Sequence, residues 1–199
     1  PFEFKVDIKN EGFKTPSTVQ YVARIGNYED LATYTGAFQV FAMALRYDYL
    51  WMKVRVLGGA YGCMANFQRN GNVLFVSYRD PNLDRTNEVY EGIPTYIDNF
   101  NPTEEELTKY IIGAIGYLDT PRTPREQGQR AFTNYLQGIT YEDLVRERKE
   151  VINVTLEDIK ALKPLIEKAL KDDAMCTIGN ENKVEESPLF KEKKYLMNI

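Results

Sequence analysis

Apolar and polar residues alternate along the first third of the chain, which is the pattern of half-buried β-strands. One alternating run covers residues 2–8, and in a later run one face carries Val19, Tyr21, Ala23 and Ile25. Two further runs, 61–69 and 73–79, are separated by Asn70-Gly71. Asn-Gly between such runs predicts a β-hairpin whose two turn residues both have positive φ. In the first hairpin strand, the residues predicted to share a face are Cys63, Ala65 and Phe67.

Most of the remaining chain repeats its apolar residues every three or four positions, which predicts amphipathic helices. The first helix is expected after Gly36 and is expected to end at Gly58-Gly59. A later helix is expected to open at Asp80-Pro81, with Asp80 as its cap and proline in its first turn.

Four threonines precede an acidic residue by three positions, which predicts helix N-termini closed by capping boxes. The two pairs with glutamate fit the pattern in full, and the two with aspartate are shorter relatives of it. The four pairs are Thr103/Glu106, Thr123/Glu126, Thr140/Asp143 and Thr155/Asp158.

The order of these elements favours an α+β fold, with an antiparallel-rich sheet and helices packed on one of its faces. The length of 199 residues suits a single domain over residues 1–199. Residues after about 185 are expected to be peripheral, because Lys191-Glu192-Lys193-Lys194 is a short, interrupted basic cluster typical of a solvated tail.

The chain contains no histidine, and this narrows its possible chemistry. Ser-His-Asp and Cys-His catalysis and the usual histidine-bearing zinc sites are excluded for these residues alone. The two cysteines, Cys63 and Cys176, are too few and too far apart in sequence to predict a disulfide scaffold or a metal knuckle. We expect both to be small, reduced core residues.

Charge and hydropathy argue against nucleic acid and membrane as partners. Lys and Arg total 25 against 29 Asp and Glu, a net charge of −4, and no apolar run is long enough to cross a bilayer. The free cysteines and the absence of a signal pattern favour a reducing compartment, the bacterial cytoplasm first and an organelle matrix second. Because the sequence starts inside a strand pattern without methionine, we expect it to be a fragment of a longer polypeptide.

The segment with the most distinctive chemistry is residues 51–62, where two glycines join a helix end to the hairpin. Arg55 and Tyr61 lie on either side of Gly58-Gly59, and their guanidinium and phenol donors would stabilise negative charge on a carbonyl oxygen if they converged. The alternative is that Arg55 covers a helix C-terminus and Tyr61 packs in the strand. From these residues alone, the alternative is favoured.

The block Tyr-Leu-Trp-Met-Lys-Val-Arg-Val-Leu-Gly-Gly-Ala-Tyr-Gly at residues 49–62 resembles the presequence protease branch of the insulinase (pitrilysin-type) zinc metallopeptidases. The resemblance continues through residues 77–83, 88–92 and 107–113, and it fades after Glu147. It is a resemblance to the last of four homologous domains of such an enzyme, not to the catalytic first domain.

The resemblance implies a clamshell peptidase whose N-terminal half holds Zn²⁺ in an H-x-x-E-H motif. By motif match, Arg55 and Tyr61 are the arginine and tyrosine that the C-terminal half contributes near the scissile carbonyl. Gly58 and Gly59 would border the bound substrate, and Arg79 would line the chamber. The implied partners are peptide substrates and the N-terminal catalytic half of the same polypeptide. The chain alone is expected to bind no zinc and to cleave nothing.

Two other functions stay open. One is a non-catalytic structural or partner domain of the same fold, like the inactive subunits of processing peptidases. The other is a freestanding peptide-binding module. The Arg55/Tyr61 pair favours the enzyme, because a purely structural domain does not need that pair of donors.

Overall fold

The computed structural model describes residues 9–196. Its strands are β1 (Asn10–Thr15), β2 (Gln20–Asn27), β3 (Gly62–Phe67), β4 (Asn72–Asp80), β5 (Ala174–Asn180) and β6 (Glu192–Tyr195). The helices of this part of the chain are α1 (Ala37–Ala44), α2 (Asp84–Glu91), α3 (Ile93–Asn99), α4 (Glu104–Leu118), α5 (Pro124–Leu136), α6 (Tyr141–Ile152), α7 (Leu156–Lys160), α8 (Lys163–Lys171) and α9 (Glu181–Glu186). The alternating run at residues 2–8 lies outside the described residues.

The six strands form one sheet in the order β3-β4-β2-β5-β1-β6. The pairs β3/β4, β4/β2 and β2/β5 are antiparallel, whereas β5/β1 and β1/β6 are parallel. The predicted α+β class with an antiparallel-rich sheet is therefore confirmed, although the sheet is mixed. Residues after 185 include β6, which pairs with β1 at one edge of the sheet.

Helices α1, α2, α8 and α9 all pack against the same face of this sheet. Gly26 lies so close to α8 that an added Cβ would stand 1.8 Å from the Ala169 carbonyl oxygen, and Gly12 lies against Val184 of α9. Aromatic rings from α1 fill the space over the hairpin, where the Phe38 and Phe67 centroids are 5.1 Å apart. The predicted packing of helices on one face is thus confirmed, and the side chains of Cys63, Ala65 and Phe67 share this covered face.

The opposite face of the sheet is open as far as residues 9–196 are concerned. Tyr21, Ala23 and Ile25 share a face as predicted, but it is the open one, where Tyr21 and Ile25 are 41% and 42% exposed. Cys176 pairs with Ala23 across β5 and β2 and is also exposed, so the expectation that it is a core residue was wrong. Cys63 is half-buried on the covered face, and both thiols are free.

All four predicted capping boxes are present in full, including the two built on aspartate. In the first, the Thr103 N–H donates to the Glu106 carboxylate at 2.7 Å, and the Glu106 N–H donates to the Thr103 hydroxyl at 3.2 Å. The shorter Asp158 side chain reaches the Thr155 N–H at 2.9 Å. Each box satisfies two backbone groups that the helix itself leaves unpaired.

Two local predictions were wrong. Asp80 is the last residue of β4 rather than a helix cap, and α2 begins four residues later at Asp84. In the hairpin turn only Gly71 has positive φ, at 77°, because the connection is a four-residue turn closed by a hydrogen bond from the Gly71 N–H to the Gln68 carbonyl. Such a turn places one residue, not two, in the left-handed region.

The helix that starts at α1 continues without a break as a π-helical segment over Leu45–Val56. Its last turn is closed by a hydrogen bond from the Leu57 N–H to the Met52 carbonyl, five residues earlier, at 2.9 Å. The segment brings the helix end to the edge strand β3, where the turn with the two glycines follows.

Candidate functional site

The turn between the π-helical segment and β3 is tightly closed by backbone hydrogen bonds. The Gly59 N–H donates to the Arg55 carbonyl at 2.9 Å, and the Ala60 N–H donates to the Val54 carbonyl at 3.1 Å. A Cβ on Gly58 would stand 2.4 Å from the Val54 carbonyl oxygen, and Gly59 has a φ of 83°. Both glycines are therefore required by the backbone itself, one for close approach and one for its left-handed conformation.

Arg55 lies in this turn with its guanidinium near two aromatic rings. Its Cζ is 4.2 Å from the ring centroid of Trp51 and 5.7 Å from that of Tyr61. Its Nη1 donates to the Tyr61 carbonyl oxygen at 2.6 Å. Within residues 9–196 no carboxylate forms an ion pair with Arg55, so Nε and Nη2 are left as donors for a ligand.

Tyr61 is 60% exposed, and its ring begins a row of aromatic rings that runs from the turn across β4 and β2. Its ring meets Tyr78 edge-on, with centroids 5.2 Å apart and planes at 88°, and the Tyr78 centroid is 5.9 Å from that of Tyr21. Tyr21 and Tyr78 stand on the open face of β2 and β4. The phenol of Tyr61 therefore sits where the open face meets the turn, and the T-shaped contact holds its ring in orientation.

Arg79 joins the site through its backbone. The register of β2 and β4 shifts where the two steps from Gln20 to Val22 oppose the three steps from Ser77 to Asp80. The extra residue is on β4, and Arg79 lies in this bulge with a φ of 50°. The Arg79 carbonyl accepts the Tyr61 N–H at 3.3 Å, while its side chain is exposed. A non-glycine residue in the left-handed region costs roughly 1 kcal/mol, and bulges of this kind redirect a side chain from its normal place on a strand.

Asn82 is a member of the site that sequence reasoning missed. Its Nδ2 donates to the Gly58 carbonyl at 2.6 Å, so it ties the loop after β4 to the turn. The fully buried Asp80 holds this loop, because its carboxylate accepts the Asn82 N–H at 2.8 Å and the Thr86 hydroxyl at 2.7 Å. No short-range signal relates position 82 to position 58, so only the fold shows this contact.

Trp51 is a second member of the site that was not among the predicted site residues. It is 41% exposed, and the Arg55 Cζ is 4.2 Å from its ring centroid. Its position four residues before Arg55 is the helical spacing at which side chains meet, and this spacing was the available signal.

Of the thiols, Cys63 lies nearest to this turn, and burial raises its pKa to about 11. Asp80 raises the pKa further, whereas Arg55 opposes the shift. The thiol is therefore protonated at neutral pH, and the thiolate that nucleophilic chemistry requires is absent. The chemistry available at the turn is hydrogen-bond donation by a guanidinium and a phenol.

Zinc does not fit the residues that the structure describes. The chain has no histidine, and among residues 9–196 no three Cys, Asp or Glu side chains cluster as a metal site requires.

No helix within residues 9–196 is long and apolar enough to cross a membrane.

The structure thus brings four of the five predicted residues into one turn, and it places the fifth, Arg79, beside them. The Tyr61 ring is exposed and meets the aromatic rings of the open face, and the Arg55 guanidinium lies beside it at the turn. Such a site can hydrogen-bond a carbonyl oxygen and lay an extended chain along the rings.

Comparison with known proteins gives a consistent result. The family model described as "PreP C-terminal domain" matches residues 10–179, which extends the similarity beyond Glu147, where the sequence resemblance faded. The chain is 46% identical over 187 residues to "Protein HypA" of Clostridium perfringens, covering 94% of this chain and 19% of that protein. It is 31% identical over 199 residues to "Presequence protease 1, chloroplastic/mitochondrial" of Arabidopsis thaliana, covering 96% and 18%.

Among solved structures, the chain is similar to a peptidase M16 inactive domain from Pseudomonas fluorescens, with a TM-score of 0.60 and 18% identity. The match covers 90% of this chain and 46% of that one. At 18% identity, this structural similarity shows a shared fold and does not show a shared function. The chain spans about a fifth of the length of the two curated relatives that it matches.

Proposed function

The chain belongs to the PreP C-terminal domain family of insulinase-type proteins, and from this premise we propose that it is the substrate-binding C-terminal domain of a zinc metalloendopeptidase. The proposed substrates are unfolded peptides enclosed in a clamshell chamber. Arg55 and Tyr61 act together on the carbonyl of the bond to be cleaved.

The observation that carries this proposal is the fixed placement of the two donors. The Arg55 guanidinium lies over the Trp51 ring and donates to the Tyr61 carbonyl at 2.6 Å, while Tyr61 is 60% exposed. Donors that are already in place cost no reorganisation when charge develops on a substrate oxygen. The open face beside them leaves room for an extended peptide.

The remainder of the enzyme lies outside these residues. Zinc supplies Lewis-acid chemistry to metallopeptidases, and the described residues offer no ligand set for it, so we assign the metal to the N-terminal half of a longer polypeptide. We propose the bacterial cytoplasm as the compartment. In this arrangement the 199-residue chain alone is inactive.

The test uses the complete polypeptide that carries this chain. Tyr61→Phe removes one hydroxyl and keeps the ring, and we expect kcat to fall about a hundredfold, as on loss of one oxyanion donor. Arg55→Lys replaces the guanidinium fork by a point charge and should also lower kcat. Tyr135→Phe is the matched control, because Tyr135 is 81% exposed on α5 and should tolerate the change. An unchanged kcat for Tyr61→Phe would exclude its role in the transition state.

A non-catalytic partner domain of the same fold is the competing function. It predicts that the complete polypeptide lacks an H-x-x-E-H segment and that neither substitution alters proteolysis. A freestanding peptide-binding module predicts instead that the isolated chain is monodisperse and binds peptides measurably. We expect only weak binding from the chain alone. Without the N-terminal half, the Arg55 and Tyr61 donors would face solvent instead of the opposite wall of the chamber.

A further inference from the structure

A second polar site lies at the other end of β3, around the tip of the hairpin. A cavity of about 770 Å³ opens there between the hairpin, the end of α4 and helix α5. Six residues of strand separate Phe67, in the cavity wall, from Tyr61, which is roughly 20 Å at about 3.3 Å per residue. The cavity is therefore separate from the Arg55/Tyr61 site.

Among the described residues that line this cavity, two are arginines and none is Asp or Glu. Arg69 and Arg130 line it. Arg122 stands nearby and donates to the Leu118 and Thr120 carbonyls at 3.3 and 3.2 Å. Glu147 pairs with Arg69, and Asp143 lies close enough to raise the pKa of Arg69 as well. Asp119 and Glu126 lie close enough to Arg122 for its charge to lower their pKa values.

Glu147 is already engaged by one of the three arginines. Its two oxygens accept from Nε and Nη2 of Arg69 at 2.6 and 2.5 Å, a bidentate pair, and Glu147 is only 3% exposed. Neither Arg122 nor Arg130 forms an ion pair within residues 9–196. Because Arg122 lies near Asp119 and Glu126, Arg130 is the member of the cluster that has no carboxylate partner among the described residues.

Arg130 is the half-buried member whose charge lacks a partner. Burial lowers its pKa first, and the charges of Arg122 and Arg69 lower it further. Glu147 opposes the shift, and arginine stays protonated in proteins, so the half-buried charge of Arg130 is repelled by its two neighbouring arginines. A bound anion would offset this repulsion. It would accept hydrogen bonds from the Arg130 guanidinium, which donates to no other group in the described structure.

The other lining residues suit a small polar ligand with some apolar surface. The amide side chains at the cavity wall, which supply further donors, are Gln39, Gln68, Asn70 and Gln137. Its apolar wall is built by Tyr34, Phe67, Leu118 and Ile139. We propose that this cavity is a binding site for a small oxyanion, with Arg130 as the principal charged donor and Arg69 as the second.

The oxyanion has two possible sources, inorganic phosphate and the terminal carboxylate of a peptide. Titration calorimetry on the 199-residue chain in phosphate-free buffer separates them, with inorganic phosphate and N-acetylglycine as probes. N-acetylglycinamide, which lacks the charge, is the neutral comparison. We expect saturable binding of at least one oxyanion and none of the amide.

The decisive variant is Arg130→Gln, which should weaken binding of that oxyanion at least tenfold. Arg125→Gln is the matched control, because it removes the same charge from an exposed position on the same helix outside the cavity. Arg130→Lys keeps the charge and loses the fork, and it should bind more weakly than wild type even if Arg130→Gln fails to fold. Absence of saturable binding by wild type, equal binding of the amide, or an equal loss in Arg125→Gln would each overturn the proposal.

Discussion

The side-chain amide of Asn82 donates a 2.6 Å hydrogen bond to the carbonyl oxygen of Gly58, which joins the loop after β4 to the turn between Arg55 and Tyr61. Asp80 fixes the same loop through the Asn82 N–H at 2.8 Å. The proposed donors therefore depend on a residue that has no contact with substrate in the proposed function. Asn82 is a positioning residue in this scheme.

Asn82→Ala is expected to lower kcat of the complete polypeptide about tenfold or more and to change KM little. Small displacements of catalytic groups reduce rate strongly, whereas substrate binding draws on the whole chamber. Steady-state kinetics on a peptide substrate provides the measurement. Asn153→Ala removes a similar amide bond, 2.8 Å to the Lys149 carbonyl, at a remote helix end and should leave kcat unchanged. Equal kinetic effects from both variants would contradict a positioning role.

Gly58→Ala should destabilise the chain by roughly 1–3 kcal/mol, because the new Cβ would stand 2.4 Å from the Val54 carbonyl oxygen and backbone must move. Gly116→Ala is the contrasting change, since Gly116 lies within α4 with nothing within 4 Å of the added atom. It should stabilise by about 0.5–1 kcal/mol through helix propensity. Urea unfolding of both variants checks this, and a neutral or stabilising Gly58→Ala would show that the turn can relax.

Much of this architecture could be predicted from the sequence, because its signals are local. The capping boxes depend on residues three positions apart, and the hairpin strands depend on period-two alternation, so both are visible in a short window. The alternation of Tyr21 and Ile25 correctly grouped them on one face. It could not show that this face is the open one, because the pattern is symmetric and the helices decide which side is covered.

The wrong predictions share a physical cause. Asp80 followed by proline has the composition of a helix start, but its carboxylate binds the Asn82 N–H and the Thr86 hydroxyl at the end of β4 instead. Contacts such as Asn82 with Gly58, or Arg69 with Glu147, join residues that are 24 and 78 positions apart. Tertiary packing sets these contacts, and no local periodicity encodes them.

Arg24→Met is expected to cost about 3 kcal/mol of stability. Arg24 is only 4% exposed and forms an ion pair with Glu91 of α2. It also donates to the Asn87 side chain at 2.9 Å and to the Leu170 carbonyl of α8, so it ties β2 to two helices. Methionine would fill the volume and leave two buried acceptors without donors.

The control for this change is Arg125→Met, at an exposed position, which should alter stability by less than about 0.5 kcal/mol. Chemical denaturation of the 199-residue chain measures both. A loss below about 1 kcal/mol for Arg24→Met would mean that the buried guanidinium contributes little beyond its volume.

The capping box of α4 predicts a dependence of stability on pH. The Thr103 N–H, followed by its hydroxyl, donates to the Glu106 carboxylate and holds its pKa below the ordinary value. A carboxyl whose pKa is lower in the folded state stabilises that state above its unfolded pKa of about 4.3. The contribution is lost as the pH falls from there through the folded-state pKa.

Glu106→Gln keeps the shape of the box and removes the charge, so wild type should exceed the variant in free energy of unfolding at neutral pH. This difference should shrink below about pH 4.3, since wild-type Glu106 then becomes neutral as well. Glu104→Gln removes a charge from the same first turn, and no hydrogen bond from the Thr103 cap reaches Glu104, so its effect should depend less on pH. Urea unfolding across this pH range compares the three proteins. A Glu106→Gln difference that is equal in neutral and acidic solution would show that the hydrogen bonds do not depend on the carboxylate charge.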